Sequence, residues 1–276
     1  MKHDLIFIIP ICMDLKYAPE TILDIAAYIK RPYRIVFVDD TPGNTFKDFQ
    51  CEKYETISSG GPNGWLGVKW TYFNALLYVL AHYDFDFIVY MDEDATVVGP
   101  GFDGFIYRHH AETDFDLLAP KDIVQDAHQE KLWPELDTVF AKYNQKHKQV
   151  IDFQPSIFWA IMVHSKRFVL RMRELGILED KSLRRSKIIS DAFISYVCDM
   201  IVCKLEAWGG MNQSGEMAKP PILGLYDEGT RLKDVIDKFA VLHRTKQMIW
   251  DDKELNETDL RAILRDRREA YLCKSR

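Results

Sequence analysis

Two carboxylates one residue apart, Asp92 and Asp94, follow the apolar run at 87–91. In extended backbone alternate side chains share a side, so Asp92 and Asp94 point together and Glu93 points away. Oxygen ligands of this kind suit a hard divalent cation, Mg²⁺ or Mn²⁺, held beside a phosphate. A second acidic pair, Asp39-Asp40, closes the apolar run at 34–38. Either cluster alone reads equally as a solvated acidic turn. Two of them, each just past a buried run, favour a ligand-binding edge, because open α/β sheets bind ligands beyond the carboxyl ends of their strands.

The surrounding sequence supplies such a sheet. Residues 5–11 are apolar almost throughout, as in a strand covered on both faces. Pro19 suits the first turn of a helix whose Ile22, Ile25, Ala26 and Ile29 recur at helical spacing before Pro32. Residues 34–38 form a second strand, followed by a turn at Thr41-Pro42-Gly43. Residues 54–58 form a third, running into Ser59-Gly60-Gly61-Pro62-Asn63-Gly64. That glycine-rich loop opens a helix with an apolar stripe of Leu66, Phe73, Leu76, Leu77 and Leu80, capped by Asn63. Strand–helix alternation ending in the strand at 87–91 predicts an α/β fold, a doubly wound sheet flanked by helices. The second half is less regular. It offers a strand at 115–119, an aromatic-rich stretch at 153–163, helices at 168–178 and 190–203, and a short strand at 239–242. A basic amphipathic helix at 256–272 ends the pattern.

Composition narrows the class. The 276 residues are 47% hydrophobic and 28% charged, which excludes a disordered or collagen-like chain. A single domain of two unequal halves, about 1–100 and 101–250, with the terminal helix at 251–276, accounts for the pattern. A net charge of −6 argues against broad binding to nucleic acid. No apolar run approaches the ~20 residues that span a bilayer. Five cysteines without a Cys-x-x-Cys point to reduced thiols and a cytoplasmic setting.

The segments 5–10, 35–40, 60–70 and 91–94 together resemble the nucleotide-binding half of GT-A glycosyltransferases, particularly the inverting family 2 type. The resemblance implies a GT-A fold, a Rossmann-like mixed sheet flanked by helices. It also implies transfer of a sugar from a nucleotide-diphosphate donor, UDP-sugar foremost, to a glycan, lipid-linked or protein acceptor. The implied donor-site residues are Pro10, Asp39, with Asp40 beside it, Gly64, Lys69 and Asp92. The family's Gly-x-x-x-Ala-Arg-Asn stretch maps onto Gly64-Trp65-Leu66-Gly67-Val68-Lys69-Trp70, with Val in place of Ala, Lys in place of Arg and Trp in place of Asn. The implied metal ligands for Mn²⁺ or Mg²⁺ are Asp92, Asp94 and His243, the last from Val241-Leu242-His243-Arg244. Asp191, in Ser190-Asp191-Ala192-Phe193, takes the place of the acceptor-activating base. Fixed positive charge at the diphosphate would come from Lys69, Arg244 or Lys246. Trp159 and Trp208 are candidates to stack on a sugar face.

Two other enzyme classes and one non-enzymatic class share parts of this pattern. Asp92-Glu93-Asp94-Ala95-Thr96 has the spacing of a haloacid-dehalogenase-like phosphatase, in which the first Asp is the nucleophile. That element belongs on a first strand, whereas three strands precede it here. Nucleotidylyltransferases carry Gly-Thr-Arg after their first strand, and here Gly229-Thr230-Arg231 lies far downstream. A sugar-nucleotide-binding module without catalysis is the remaining alternative. His109-His110, if extended, point in opposite directions and do not make a zinc site. The terminal helix sets Leu260, Ile263, Leu264 and Tyr271 against Arg261, Arg265, Arg267 and Arg268. The expected arrangement is docking with a solvated basic face; peripheral contact of 256–276 with an anionic membrane is the alternative.

Overall fold

The computed structural model describes residues 2–11, 18–41, 53–61, 68–93, 95–120, 161–185, 193–194, 197–198, 201, 203–208, 223–225, 241–243, 249–250 and 253–274. In chain order the first elements are β1 (Lys2–Ile11), α1 (Ala18–Tyr28), β2 (Tyr33–Asp39), β3 (Tyr54–Ser58), α2 (Val68–His82) and β4 (Asp84–Met91). There follow β5 (Thr96–Val97), α3 (Phe102–Thr113), β6 (Leu117–Pro120), β7 (Ile161–Ser165), α4 (Lys166–Glu174), α5 (Lys181–Arg185) and β8 (Leu205–Trp208). The last are β9 (Leu223–Leu225), β10 (Val241–His243), β11 (Ile249–Trp250), β12 (Lys253–Glu254) and α6 (Glu257–Lys274). The chain divides into two compact units: Met1–Met13, Pro32–Met91 and Thr113–Trp208 in the first, Asp14–Arg31, Asp92–Glu112 and Gly209–Arg276 in the second.

The first unit is built on a seven-stranded sheet in the order β3-β2-β1-β4-β7-β6-β8. β3, β2, β1 and β4 run parallel to one another, as the continuous apolar runs of β1, β2 and β4 predict. The sheet then becomes mixed. β7 runs antiparallel to β4 and β6, and β8 lies parallel to β6. Alternation assigns the strand residues to two faces. Ile6, Ile8, Val36, Val38, Ile88 and Tyr90 share a core with Tyr72, Phe73, Leu76 and Val79 of α2 and with Phe168, Val169 and Met172 of α4. The intervening Leu5, Phe7, Ile9, Ile35, Phe37 and Val89 are buried as well. Ser165 ends β7 and caps α4, its Oγ accepting from the Phe168 N–H at 3.2 Å. Buried Asp116 ties the edge together, accepting from Arg167 Nε at 2.5 Å and from the Lys204 N–H at 2.9 Å. Deep in this core, Tyr72 Oη lies 2.7 Å from His164 Nε2, and both side chains are fully buried.

The second unit holds α1, α3, α6 and two small sheets, β5-β10-β9 and β11-β12. Asp103 of α3 accepts the Lys30 and Arg31 N–H groups through one oxygen, at 2.8 and 3.0 Å, just past the end of α1. His109 and His110 are helical rather than extended, and His109 stacks on Phe105 with ring centroids 5.2 Å apart. The terminal helix leaves Arg265 exposed but corrects the expectation of a solvated basic face at Arg261 and Arg268. Arg261 and Arg268 are 4% and 5% exposed and lie on the same buried stripe as Leu260 and Leu264. Acidic residues of α1 explain the inward turn: Arg268 donates to Asp24 at 2.7 Å and to Glu20 at 2.9 Å. Among the described residues no helix is long and apolar enough to cross a membrane.

Candidate functional site

In the first unit the chemistry-bearing residues gather at the carboxyl ends of the parallel strands. β2 closes on Asp39, whose side chain is buried and accepts the Thr41 N–H at 2.9 Å. A short carboxylate bonding its own backbone two residues on is the turn chemistry that ends the strand here. Asp40 is also buried, and its N–H bonds the Ile11 carbonyl at 2.9 Å. The Ser59 N–H reaches back to the Asp39 carbonyl at 3.0 Å. The ends of β1, β2 and β3 are therefore locked to one another through backbone. Pro10 is half-buried, in register with Val38.

The glycines after β3 fit this loop against α2. Gly60 has φ of +67°, a conformation that costs a residue with a Cβ. At Gly61 a Cβ would strike the Trp70 side chain, so only glycine allows the approach. Asn74 Nδ2 donates to the Ser59 carbonyl, and the Asn74 oxygen in turn accepts from Arg184 Nη1 at 2.5 Å. The Arg184 guanidinium sits 5.1 Å from the Trp70 ring centroid and also donates to the Leu178 carbonyl. Burial holds Arg184 below the ordinary arginine range. Lys69, in the first turn of α2, is buried with Nζ 5.3 Å from the centroid of the Phe193 ring. Phe193 packs edge-on against Phe73 at 5.7 Å. A cation over an aromatic face is attracted by the negative charge of the ring's π face.

In the second unit, Asp92 is half-buried and opens a turn in which the Ala95 N–H bonds the Asp92 carbonyl at 3.0 Å. Glu93 is exposed, and its carbonyl accepts from Arg261 Nη2 at 3.3 Å. Thr96, at the start of β5, donates its hydroxyl to Asp24 at 2.9 Å. Burial pushes the Asp24 carboxyl up, and the paired Arg268 opposes that shift. Among the described residues no three His, Cys, Asp or Glu side chains cluster as a metal site. In donor chemistry Asp92, a carboxylate at a strand end, fits a hard divalent cation. His243 is the last residue of β10, in register with Leu225. Gly64, Asp94, Trp159, Asp191, Arg244 and Lys246 lie outside the described residues.

Thus the structure brings Asp39, Asp40, the Ser59-Gly60-Gly61 loop and Lys69 to one edge of one unit. Sequence reasoning missed Asn74 and Arg184, which support that loop, and put Arg261 and Arg268 on a solvated face although both are buried. A signal for the arginines existed: Glu20 and Asp24 are four apart on α1, and Arg261 and Arg268 seven apart on α6, so each pair lies on one helix face.

No family model matches the sequence, and no curated protein matches it. Among solved structures, the chain is similar to the galactosyltransferase LgtC in complex with donor and acceptor sugar analogs. That match has 12% identity over 96% of this chain and 95% of the other, with a TM-score of 0.45. It is similar to the bifunctional glycosyltransferase WbbM at 12% identity, over 97% of this chain and 52% of the other, with a TM-score of 0.47. A third is the mannosyltransferase PcManGT from Pyrobaculum calidifontis in complex with GDP-Man and Mn²⁺. It matches at 12% identity over 75% of this chain and 55% of the other, with a TM-score of 0.44.

Proposed function

We propose that this chain is a metal-dependent glycosyltransferase of GT-A type, moving a sugar from a nucleoside diphosphate donor to an acceptor hydroxyl. The observation that carries this reading is the carboxyl edge of the parallel strands. There β2 closes on buried Asp39 and Asp40, and β3 on a glycine loop fitted to the start of α2. Asp39 and Asp40 would take the hydroxyl groups and base of a UDP-sugar, with Pro10 and Gly64 as further donor-site residues. Lys69 and Arg244 would supply fixed positive charge for the diphosphate, and the fixing matters because preorganised charge needs no rearrangement as the bond breaks.

Asp92, Asp94 and His243 would hold Mn²⁺ or Mg²⁺. Such a cation, when bound, neutralises the leaving diphosphate as a Lewis acid, an effect of several kcal/mol. In the transfer itself the bond from the anomeric carbon to the diphosphate oxygen breaks as the acceptor oxygen bonds to that carbon. Asp191 takes the acceptor proton from the opposite face, so the displacement inverts configuration. General-base help of this kind contributes ~10²–10⁴-fold. Phe193, two residues after Asp191 in the chain, lies against Lys69 and Phe73 of α2.

The test is thermal stabilisation by a panel of nucleotide sugars with Mn²⁺, since a ligand that binds only the folded state raises the melting point. The parent should respond to at least one donor, and Asp92→Ala/Asp94→Ala should lose the response. An equal response in the variant removes the metal-dependent reading. Asp191→Asn should keep donor binding and lose transfer, and phosphate release from a simple phosphomonoester would favour the dehalogenase-like alternative instead.

A further inference from the structure

The acidic turn after β4 is held from outside by the terminal helix. Arg261 Nη2 donates to the Glu93 carbonyl at 3.3 Å, the peptide that joins Glu93 to Asp94. Arg261 Nη1 reaches the Thr21 hydroxyl at 3.4 Å. Arg267 Nε donates to the Val98 carbonyl at 3.1 Å. Between these points the Thr96 hydroxyl bonds Asp24, whose other oxygen accepts from Arg268 at 2.7 Å. Arg261, Arg268, Asp24, Thr21 and Thr96 are all buried. Desolvated guanidinium groups do not fill space cheaply, and charge-assisted bonds of this kind fix backbone geometry as well as energy.

We propose that α6 is a positioning element for the strand-end acids, with Arg261 setting the backbone between Asp92 and Asp94 and the Asp24–Arg268 pair setting Thr96. This rests on the reading that Asp92 and Asp94 bind Mn²⁺. Groups that orient metal ligands from one layer out typically change metal affinity ~10–100-fold when removed.

Free Mn²⁺ is measured by its electron paramagnetic resonance signal on titration of the full chain in the presence of UDP, with melting curves on every variant. Arg261→Ala should weaken Mn²⁺ binding about tenfold, with Arg261→Lys between it and the parent. Thr21→Val, which keeps both arginines, should weaken it by a smaller factor. If Arg261→Ala does not fold, Arg261→Lys and Thr21→Val decide the matter. Folded variants with parental Mn²⁺ affinity overturn the positioning role, as does a loss of turnover with affinity unchanged. A parent chain that binds no Mn²⁺ overturns the metal-dependent reading itself, and the positioning role with it.

Discussion

His164 shows how a single side chain is set by its surroundings. It sits on β7 with no exposed surface, and burial lowers its pKa from 6.5 to about 3. The folded chain therefore keeps it neutral through the range where the unfolded chain takes up a proton. The sign follows from linkage: below about pH 6.5 the unfolded state binds more protons, so stability falls as pH drops toward 3 and is indifferent to this group above 6.5. Urea unfolding at pH 8, 6 and 4 should show that decline, and His164→Phe should flatten it. Tyr72→Phe removes the hydroxyl 2.7 Å from Nε2, leaves a buried nitrogen unsatisfied, and should cost about 1–3 kcal/mol at neutral pH.

Among the described glycines, Gly61, in the loop just after β3, has the least room for a side chain. Gly61→Ala forces a methyl into the Trp70 side chain, an overpacking expected to cost about 1–3 kcal/mol. Because that loop also meets Asn74 and bonds the end of β2, the same substitution should weaken nucleotide binding, readable by titration with UDP. The loop glycines and the four parallel strands were legible in the sequence, because apolar runs and Gly-Gly steps are local signals. β3 spans 54–58 as expected, and β2 exceeds its expected 34–38 by one residue at each end. β7 was not legible as a strand. Its five buried residues, Ile161–Ser165, overlap the end of an aromatic stretch, and nothing local encodes pairing antiparallel to β4. The helix expected at 168–178 begins at Lys166, directly after its Ser165 cap, and ends at Glu174. At the candidate site Asp39, Asp40 and Lys69 could be found by motif. Arg184 and Asn74 could not, since their role depends on contacts 110 residues apart.

At the scale of the whole molecule, Arg261 and Arg268 of α6 turn inward. Charge on an amphipathic helix is ordinarily read as its wet side, and here an acidic pair on α1 reverses that rule. Arg268→Ala leaves Asp24 a buried carboxylate with its cation gone, and deleting residues 256–276 removes Arg268 together with the apolar side of its helix. Breaking one side of a buried pair costs about 3–5 kcal/mol, and the buried Leu260 and Leu264 add to the loss. The truncated chain should therefore melt well below the parent in a calorimetric scan, whereas a helix lying free on the surface would be removed with little change. Asp24 and Arg268 are also 244 residues apart. A ribosome adding about 5–20 residues per second delivers the carboxylate tens of seconds before its guanidinium partner. During synthesis α1 must wait, its acid still hydrated, and the second unit closes only once the final helix has emerged.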